Sequence, residues 1–300
     1  MRRNNEDSIN KFLFSKFLYS NIYYINSVEC VKRRKMMYQF IEPTQGEVLA
    51  SIASHDFFRR MTPMDIIARG AQSPEEYRQR YMRSIRSFSE SEREKIRGDL
   101  RAIHPLEPKG MRGISWYLVM VPDTVEGGLC HTMGKYVVLT EDFMGKSAEE
   151  RRYILLHEKV HLFQKIFPEE TEQWIREFLR MRPFRGTLPK GILRRRRNNP
   201  DLNGWMYQTP QQEVIVELYP EGRQPGSVRD SEPMVVSGTG VRRATHADVG
   251  GLPSCANQLE HPYEMMASYI GRLLNEQCWE VDAETKKLHL QVFSQNPHLL

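Results

Sequence analysis

The chain has 300 residues, is 40% hydrophobic and 27% charged, and carries a formal charge of +5. That is enough apolar material for one large domain or two small ones, and it excludes a disordered or fibrous chain. The basic excess is too slight to make nucleic acid an expected partner, and with no apolar run of about 18 residues a transmembrane helix is not expected.

Residues 1–45 read as a poorly ordered or loosely packed N-terminal extension. Phe12, Phe14, Phe17, Tyr19, Tyr23 and Tyr24 are followed by the basic run Lys32-Arg33-Arg34-Lys35, but Lys11 and Lys16 interrupt the apolar stretch and no cleavage signal follows. The alternatives are a start of the functional chain at Met36 or Met37, and a peripheral membrane contact through the aromatic face of residues 10–25. The four cysteines, Cys30, Cys130, Cys255 and Cys278, are widely spaced with no Cys-x-x-Cys pair. They read as free thiols in a reducing, cytoplasmic compartment, with one or two disulfides as the alternative.

Residues 46–110 form a helical N-terminal subdomain. Thr62-Pro63 and Ser73-Pro74-Glu75-Glu76 combine a cap, a first-turn proline and, in the second case, acidic residues at the positive end of the helix dipole. Ser89 or Ser91 opens a third helix that Pro105 ends. The interleaved Arg and Glu of these helices read as a solvated face.

Two strands follow. Residues 114–121, Ile-Ser-Trp-Tyr-Leu-Val-Met-Val, are continuously apolar, as in a strand covered on both faces, and residues 135–140 form the second. Between them lies a Gly-flanked segment, residues 127–134, that contains His131.

The next helix is announced by the capping box Ser147-Ala148-Glu149-Glu150 and stopped by Pro168. It contains His157-Glu158-Lys159-Val160-His161. Residues four apart on a helix lie one above the other, so His157 and His161 can offer two imidazoles to one metal ion while Glu158 sits beside it, placed to take a proton from a metal-activated water. Ile154, Leu155, Val160, Leu162, Phe163 and Ile166 surround the pair, which places the helix inside a domain.

Residues 169–182 read as a further helix with Trp174, Ile175, Phe178 and Leu179 inward. The run Arg194, Arg195, Arg196 and Arg197 is a candidate anion-binding loop, with a solvated loop as the equal alternative. Residues 205–207 and 213–219 read as strands, and residues 221–251, rich in Gly and Pro, as an exposed rim or lid. A helix beginning near Pro262 carries Glu264, with Ala267, Ser268 and Gly271 on its line at i+3, i+4 and i+7, small residues that let a neighbour approach. A last helix spans about 284–293.

Through His157-Glu158-Lys159-Val160-His161 the chain resembles the zincin superfamily of metallopeptidases. Gln164 and Phe167 stand where the metzincin pattern has Gly and His, which excludes that subgroup. A gluzincin-like arrangement takes its third ligand from a later helix, and that role falls to Glu264, with His261 and Glu260, then His246 or Asp248, as fallbacks. Ser268 stands where such proteins often carry an Asp that orients a ligand His, so that partner is unassigned. Together with Asn199-Pro200-Asp201, Trp205 and Glu260-His261-Pro262-Tyr263-Glu264, the wording is similar to uncharacterised metallopeptidase-like proteins of large DNA viruses and algae, over about residues 111–280.

The resemblance implies an α+β fold, in which a small mixed sheet packs on the metal-site helix and the rest is largely helical, with residues 111–300 as the metallopeptidase domain. It implies one Zn²⁺ held by His157, His161 and Glu264, Glu158 as general base, and a peptide or protein substrate. The segment 127–134 would be the sheet edge that binds substrate, bringing His131 near the reacting bond. Tyr207, Tyr219 and Tyr263 are each chemically able to hydrogen-bond a developing oxyanion, with a buried core tyrosine as the default reading of each. The other readings are a catalytically silent protein braced by its metal, and a nucleic-acid-associated protein using the Arg run.

Overall fold

The two apolar segments do pair, as parallel neighbours. Trp116–Val121 (β2) lies beside Tyr136–Thr140 (β4), with Val119 opposite Val138. Tyr38–Phe40 (β1) adds in parallel on the far side of β2, and His131–Met133 (β3) runs antiparallel to β4, giving the order β1-β2-β4-β3. The computed structural model describes residues 37–293, apart from 239, 250–251 and 256–257. The expected extension and its aromatic face at 10–25 therefore lie outside the described residues, apart from the last few positions before 45.

A sheet with apolar side chains on both faces must be covered twice. One face, through Val119, Val121, Tyr136 and Val138, packs on Phe57, Phe58, Tyr77, Tyr81 and Ile85. Phe57 and Phe58 come from Asp56–Arg59 (α2), Tyr77 and Tyr81 from Pro74–Ser84 (α4), and Ile85 follows α4, in a run of helices that also includes Gly46–Ala53 (α1) and Pro63–Ala68 (α3). Thr62 and Ser73 cap α3 and α4, and Ser89 rather than Ser91 caps Glu90–Ile103 (α5), which ends just before Pro105. Lys109–Arg112 (α6) leads into β2.

The other face, through Trp116, Leu118, Met120, Val137 and Leu139, packs on Leu155, Leu156, Val160 and Phe163. These lie on Ala148–Ile166 (α8), which follows the short Glu141–Gly145 (α7) and is closed at its start by the capping box of Ser147 and Glu150. The chain is thus α+β, with a mixed sheet on a buried helix.

The expected helix over 169–182 is shorter and changes form. Pro168–Trp174 (α9) is α-helical, but Ile175–Leu179 winds as a π turn, and Arg182–Pro183 (β5) already opens a second sheet. That sheet runs antiparallel in the order β5-β6-β7-β8-β9, from Tyr207–Gln208 (β6), Val214–Leu218 (β7), Glu232–Ser237 (β8) and Gly240–Arg243 (β9). The segment 221–251 is therefore not a loop throughout. Met234-Val235-Val236 pairs with β7, and Gly238 and Gly240 turn the chain back, a hairpin short enough to be masked by its Gly, Pro and charged surroundings. Ile192 on Lys190–Arg195 (α10), together with Leu188 just before the helix, covers one face of this sheet.

Pro262–Leu274 (α11) returns to the main core, and Ala283–Leu290 (α12) packs near the chain's end. At the two ends of α11 the expectation of free thiols fails for two residues. Cys255 and Cys278 are disulfide-bonded with their α-carbons 5.7 Å apart, because the turn before α11 and the turn after it meet at one place. Cys130 is a free thiol. Among the described residues no helix is long and apolar enough to cross a membrane.

Candidate metal centre

α8 and α11 pack closely because their contact is made of small groups. A β-carbon added at Gly271 would stand 3.2 Å from the backbone nitrogen of His157, and Ala267 and Ser268 on the same stripe are fully buried. The start of α11 is fixed by Pro262 in its first turn and by His261, whose Nδ1 accepts the Tyr263 amide at 3.1 Å and whose Nε2 meets the Trp205 carbonyl at 3.1 Å. His261 is thus a helix cap, and burial pulls its basicity down to about 3.

This contact brings three donors together. His157 Nε2 and His161 Nε2 are 3.0 Å apart, and Glu264 Oε2 lies 3.2 Å from each. All three residues are buried, and together they can hold a metal ion. Gln164 fixes the protonation of the second ring. Its Nε2 donates to the Tyr263 carbonyl at 2.9 Å, so its Oε1 faces His161 Nδ1 at 2.8 Å and that nitrogen carries the hydrogen. A neutral His161 then turns its Nε2 lone pair toward His157 and Glu264, the tautomer that binds metal.

Three electron-rich atoms in contact repel unless a cation lies among them. Burial resists charging His161, yet the facing Glu264 carboxylate lifts it to about 10. Burial likewise resists ionising Glu264, yet His161 and His157 hold it well below the usual carboxylate range. The other oxygen of Glu264 is held by Asn199, whose Nδ2 donates at 2.6 Å, while Asn199 Oδ1 accepts the Asp201 amide at 2.9 Å. Ser268 accepts from the Tyr153 hydroxyl at 3.4 Å.

Glu158 is 2% exposed, and among the described residues no protein group hydrogen-bonds its Oε2. Burial, and then the nearby Asp201 carboxylate, push its carboxyl well above the usual range, with His161 and Lys165 opposing. Lys165 donates to the Thr132 carbonyl at 3.0 Å and to the Thr132 hydroxyl. Asp201 accepts from the Thr132 amide and, at 2.7 Å, from the same hydroxyl. A cavity of about 60 Å³ adjoins the cluster, lined among others by His131, His157, Asn199, Asp201, Glu260 and Glu264. It has room for a few water molecules.

The loop that carries Asn199 and Asp201 is held by the helices before the sheet. Asp65 accepts from the Asn198 amide at 3.2 Å and from Asn198 Nδ2 at 2.9 Å. Arg69 joins Asp65 at 2.9 Å, Glu126 through two bonds at 2.7 and 2.6 Å, and the Asn198 carbonyl at 3.2 Å, all buried. Tyr77 and Tyr219 complete this network by donating to Glu126 and Asp65 at 2.6 and 3.0 Å. Tyr219 is therefore committed away from the metal cluster.

Several other residues singled out in the sequence have different work. His131 lies on the edge strand β3, and both ring nitrogens are taken, by the Tyr81 hydroxyl at 2.8 Å and the Leu129 carbonyl at 3.0 Å. Tyr207 and Tyr263 both donate to Glu172, and Tyr263 accepts from Asn203, so neither hydroxyl is spare for an oxyanion. The Arg run is not a free anion-binding loop. Arg195 pairs with Glu221, Arg196 bonds the Gly204 carbonyl, and Arg197 is buried against Glu217, because the run crosses from α10 onto the second sheet. Arg194 is the member that is exposed. Glu260 reaches the cavity wall, Asp248 is paired with Arg242, and His246 is exposed. Gln164 and Asn199 were missed as partners of the cluster. The spacing of Gln164, three residues after His161, was the signal available for it. Compared with protein-family models, with curated proteins and with solved structures, the chain finds no match.

Proposed function

We propose that the protein is a zinc-dependent peptidase. The reading rests on one observation, the convergence of His157 Nε2, His161 Nε2 and Glu264 Oε2 at 3.0 to 3.2 Å beside a Glu158 Oε2 that has no hydrogen-bond partner among the described residues. Tetrahedral zinc, with bonds of about 2.0 to 2.1 Å, sets its donors roughly 3.3 Å apart, so the cluster fits one face of that tetrahedron and leaves a fourth position for a reactant. Two imidazoles and one carboxylate are also a donor set that zinc accepts in catalytic sites. This likeness of site and of sheet-on-helix layout supports a zincin-type assignment of the fold.

When bound, zinc would supply Lewis acidity, acidifying a water molecule and polarising a peptide carbonyl. The chain's own groups supply the rest. Glu158 accepts the water's proton on Oε2 and returns it to the leaving amine. Gln164 keeps the His161 lone pair aimed inward, and Asn199 keeps one Glu264 oxygen occupied so that the other faces the imidazoles. Glu158→Gln should retain one zinc per chain and lose cleavage of a peptide library by at least about a hundredfold, the scale of general-base removal. Equal cleavage by the variant and the wild type would refute the assignment.

A further inference from the structure

We infer that the turn Asn199-Pro200-Asp201, acting with Lys165, is a strap that occupies the edge strand β3 and must yield before a peptide can pair there. The inference rests on the peptidase reading and adds a restraint on it.

β3 is the terminal strand of its sheet and is three residues long. An extended peptide added to such an edge needs an outward amide to donate and an outward carbonyl to accept, and along a strand these come from alternate residues. In β3 that residue is Thr132. Both of its backbone groups are already bonded, the amide to the Asp201 carboxylate and the carbonyl to the Lys165 ammonium, and its side-chain hydroxyl is shared between the same two residues. An acceptor on the amide and a donor on the carbonyl are what a paired strand would supply. Thr132 and Asp201 are 0% and 5% exposed, so solvent does not reach this edge either.

The blockade joins the metal cluster through one turn of chain. Asn199 at one end holds Glu264, Asp201 at the other holds Thr132, and the Asp201 amide bonded to Asn199 Oδ1 ties the two ends together. The adjoining cavity of about 60 Å³ is lined by both Asn199 and Asp201. A peptide that displaced Asp201 from Thr132 would gain the edge and open the cavity wall in one movement.

The test uses the full-length zinc-loaded chain and two probes measured by titration calorimetry. One is a hydroxamate-ended tri-alanine, and the other is acetohydroxamate, a chelator with no peptide to pair. Asp201→Ala should bind the tripeptide probe about tenfold or more tightly than wild type, the scale of one charge-assisted hydrogen bond no longer competing, with acetohydroxamate unchanged. Asp201→Asn keeps an acceptor for Thr132 without its charge and should fall between the wild type and Asp201→Ala. If Asp201→Ala alone does not fold with one zinc, the pair Asp201→Ala with Lys165→Met removes both charges together and carries the same expectation. Equal tripeptide affinity in variant and wild type overturns the strap and leaves the peptidase reading standing, and so does a parallel rise for both probes. A wild-type chain that takes up no zinc overturns both.

Discussion

Gln164→Leu is the perturbation that most directly probes how the cluster is built. Gln164 sits on α8 one turn beyond His161 and makes two bonds, 2.8 Å to His161 Nδ1 and 2.9 Å to the Tyr263 carbonyl at the start of α11. Leucine is apolar and one atom shorter, so the substitution removes the partner of a buried donor and of a buried acceptor. Each such loss costs about 1–3 kcal/mol, which puts the destabilisation at roughly 2–4 kcal/mol after relaxation. The metal effect is separate. Without the acceptor on Nδ1 the ring can place its hydrogen on either nitrogen or turn, and losing such a partner typically lowers metal affinity about 10- to 100-fold. Zinc affinity measured by competition with a chromophoric chelator, alongside chemical denaturation of zinc-free and zinc-loaded protein, separates the two effects. Gln164→Glu, which keeps an acceptor on Nδ1, should recover most of the affinity. A leucine variant that binds zinc as tightly as wild type would refute the argument that this side chain sets the tautomer.

Three further outcomes are expected. Gly271→Val forces α11 away from the backbone of His157, and overpacking of this kind costs about 1–3 kcal/mol. Because Glu264 rides on the same helix, zinc affinity should fall with it, and a variant of unchanged affinity would show that the close approach is unimportant. For Glu126, burial opposes ionisation but Arg69 holds the folded carboxyl down to about 2, so its contribution is fully present above the unfolded pKa near 4.5 and is lost as pH falls from there through about 2. Denaturation followed from pH 6 to pH 3 should show Glu126→Gln less stable at pH 6 by about 3 kcal/mol and with a shallower acid decline, and parallel curves would refute this. Reducing the Cys255–Cys278 bond, or Cys278→Ser, releases a loop with a sequence separation of 23 and should lower stability by about 3 kcal/mol, read as a drop in Tm.

What the sequence disclosed is what local chemistry determines. The capping boxes of Ser89 and Ser147, the prolines opening α3, α4 and α11, and the continuous apolar strands are decided within a few residues, and the structure keeps them. The line of small residues after Glu264 announced a close helix contact, and Gly271 against His157 is that contact. Elsewhere the partner lies far along the chain. Asn199 meets Glu264 across 65 residues and Thr132 meets Asp201 across 69, so no pattern in either neighbourhood could reveal the pairing. The Arg run read as solvated or anion-binding because Glu217 and Glu221 are separated from it by a strand and two turns. The hairpin at 232–243 hid for another reason, since four apolar residues with glycine at the bend carry little period-two signal.

The ion-paired knot around Arg69 ties the metal cluster to chain laid down far upstream of it. A fragment beginning near residue 111 would contain both histidines, Glu158 and Glu264, yet would leave Glu126 and Asn198 without the guanidinium and carboxylate that anchor them. The three clustered side chains and this scaffold are joined by buried hydrogen bonds, so a substitution at Asp65, remote from the imidazoles in sequence and in chemistry, should be felt at the turn that steadies Glu264.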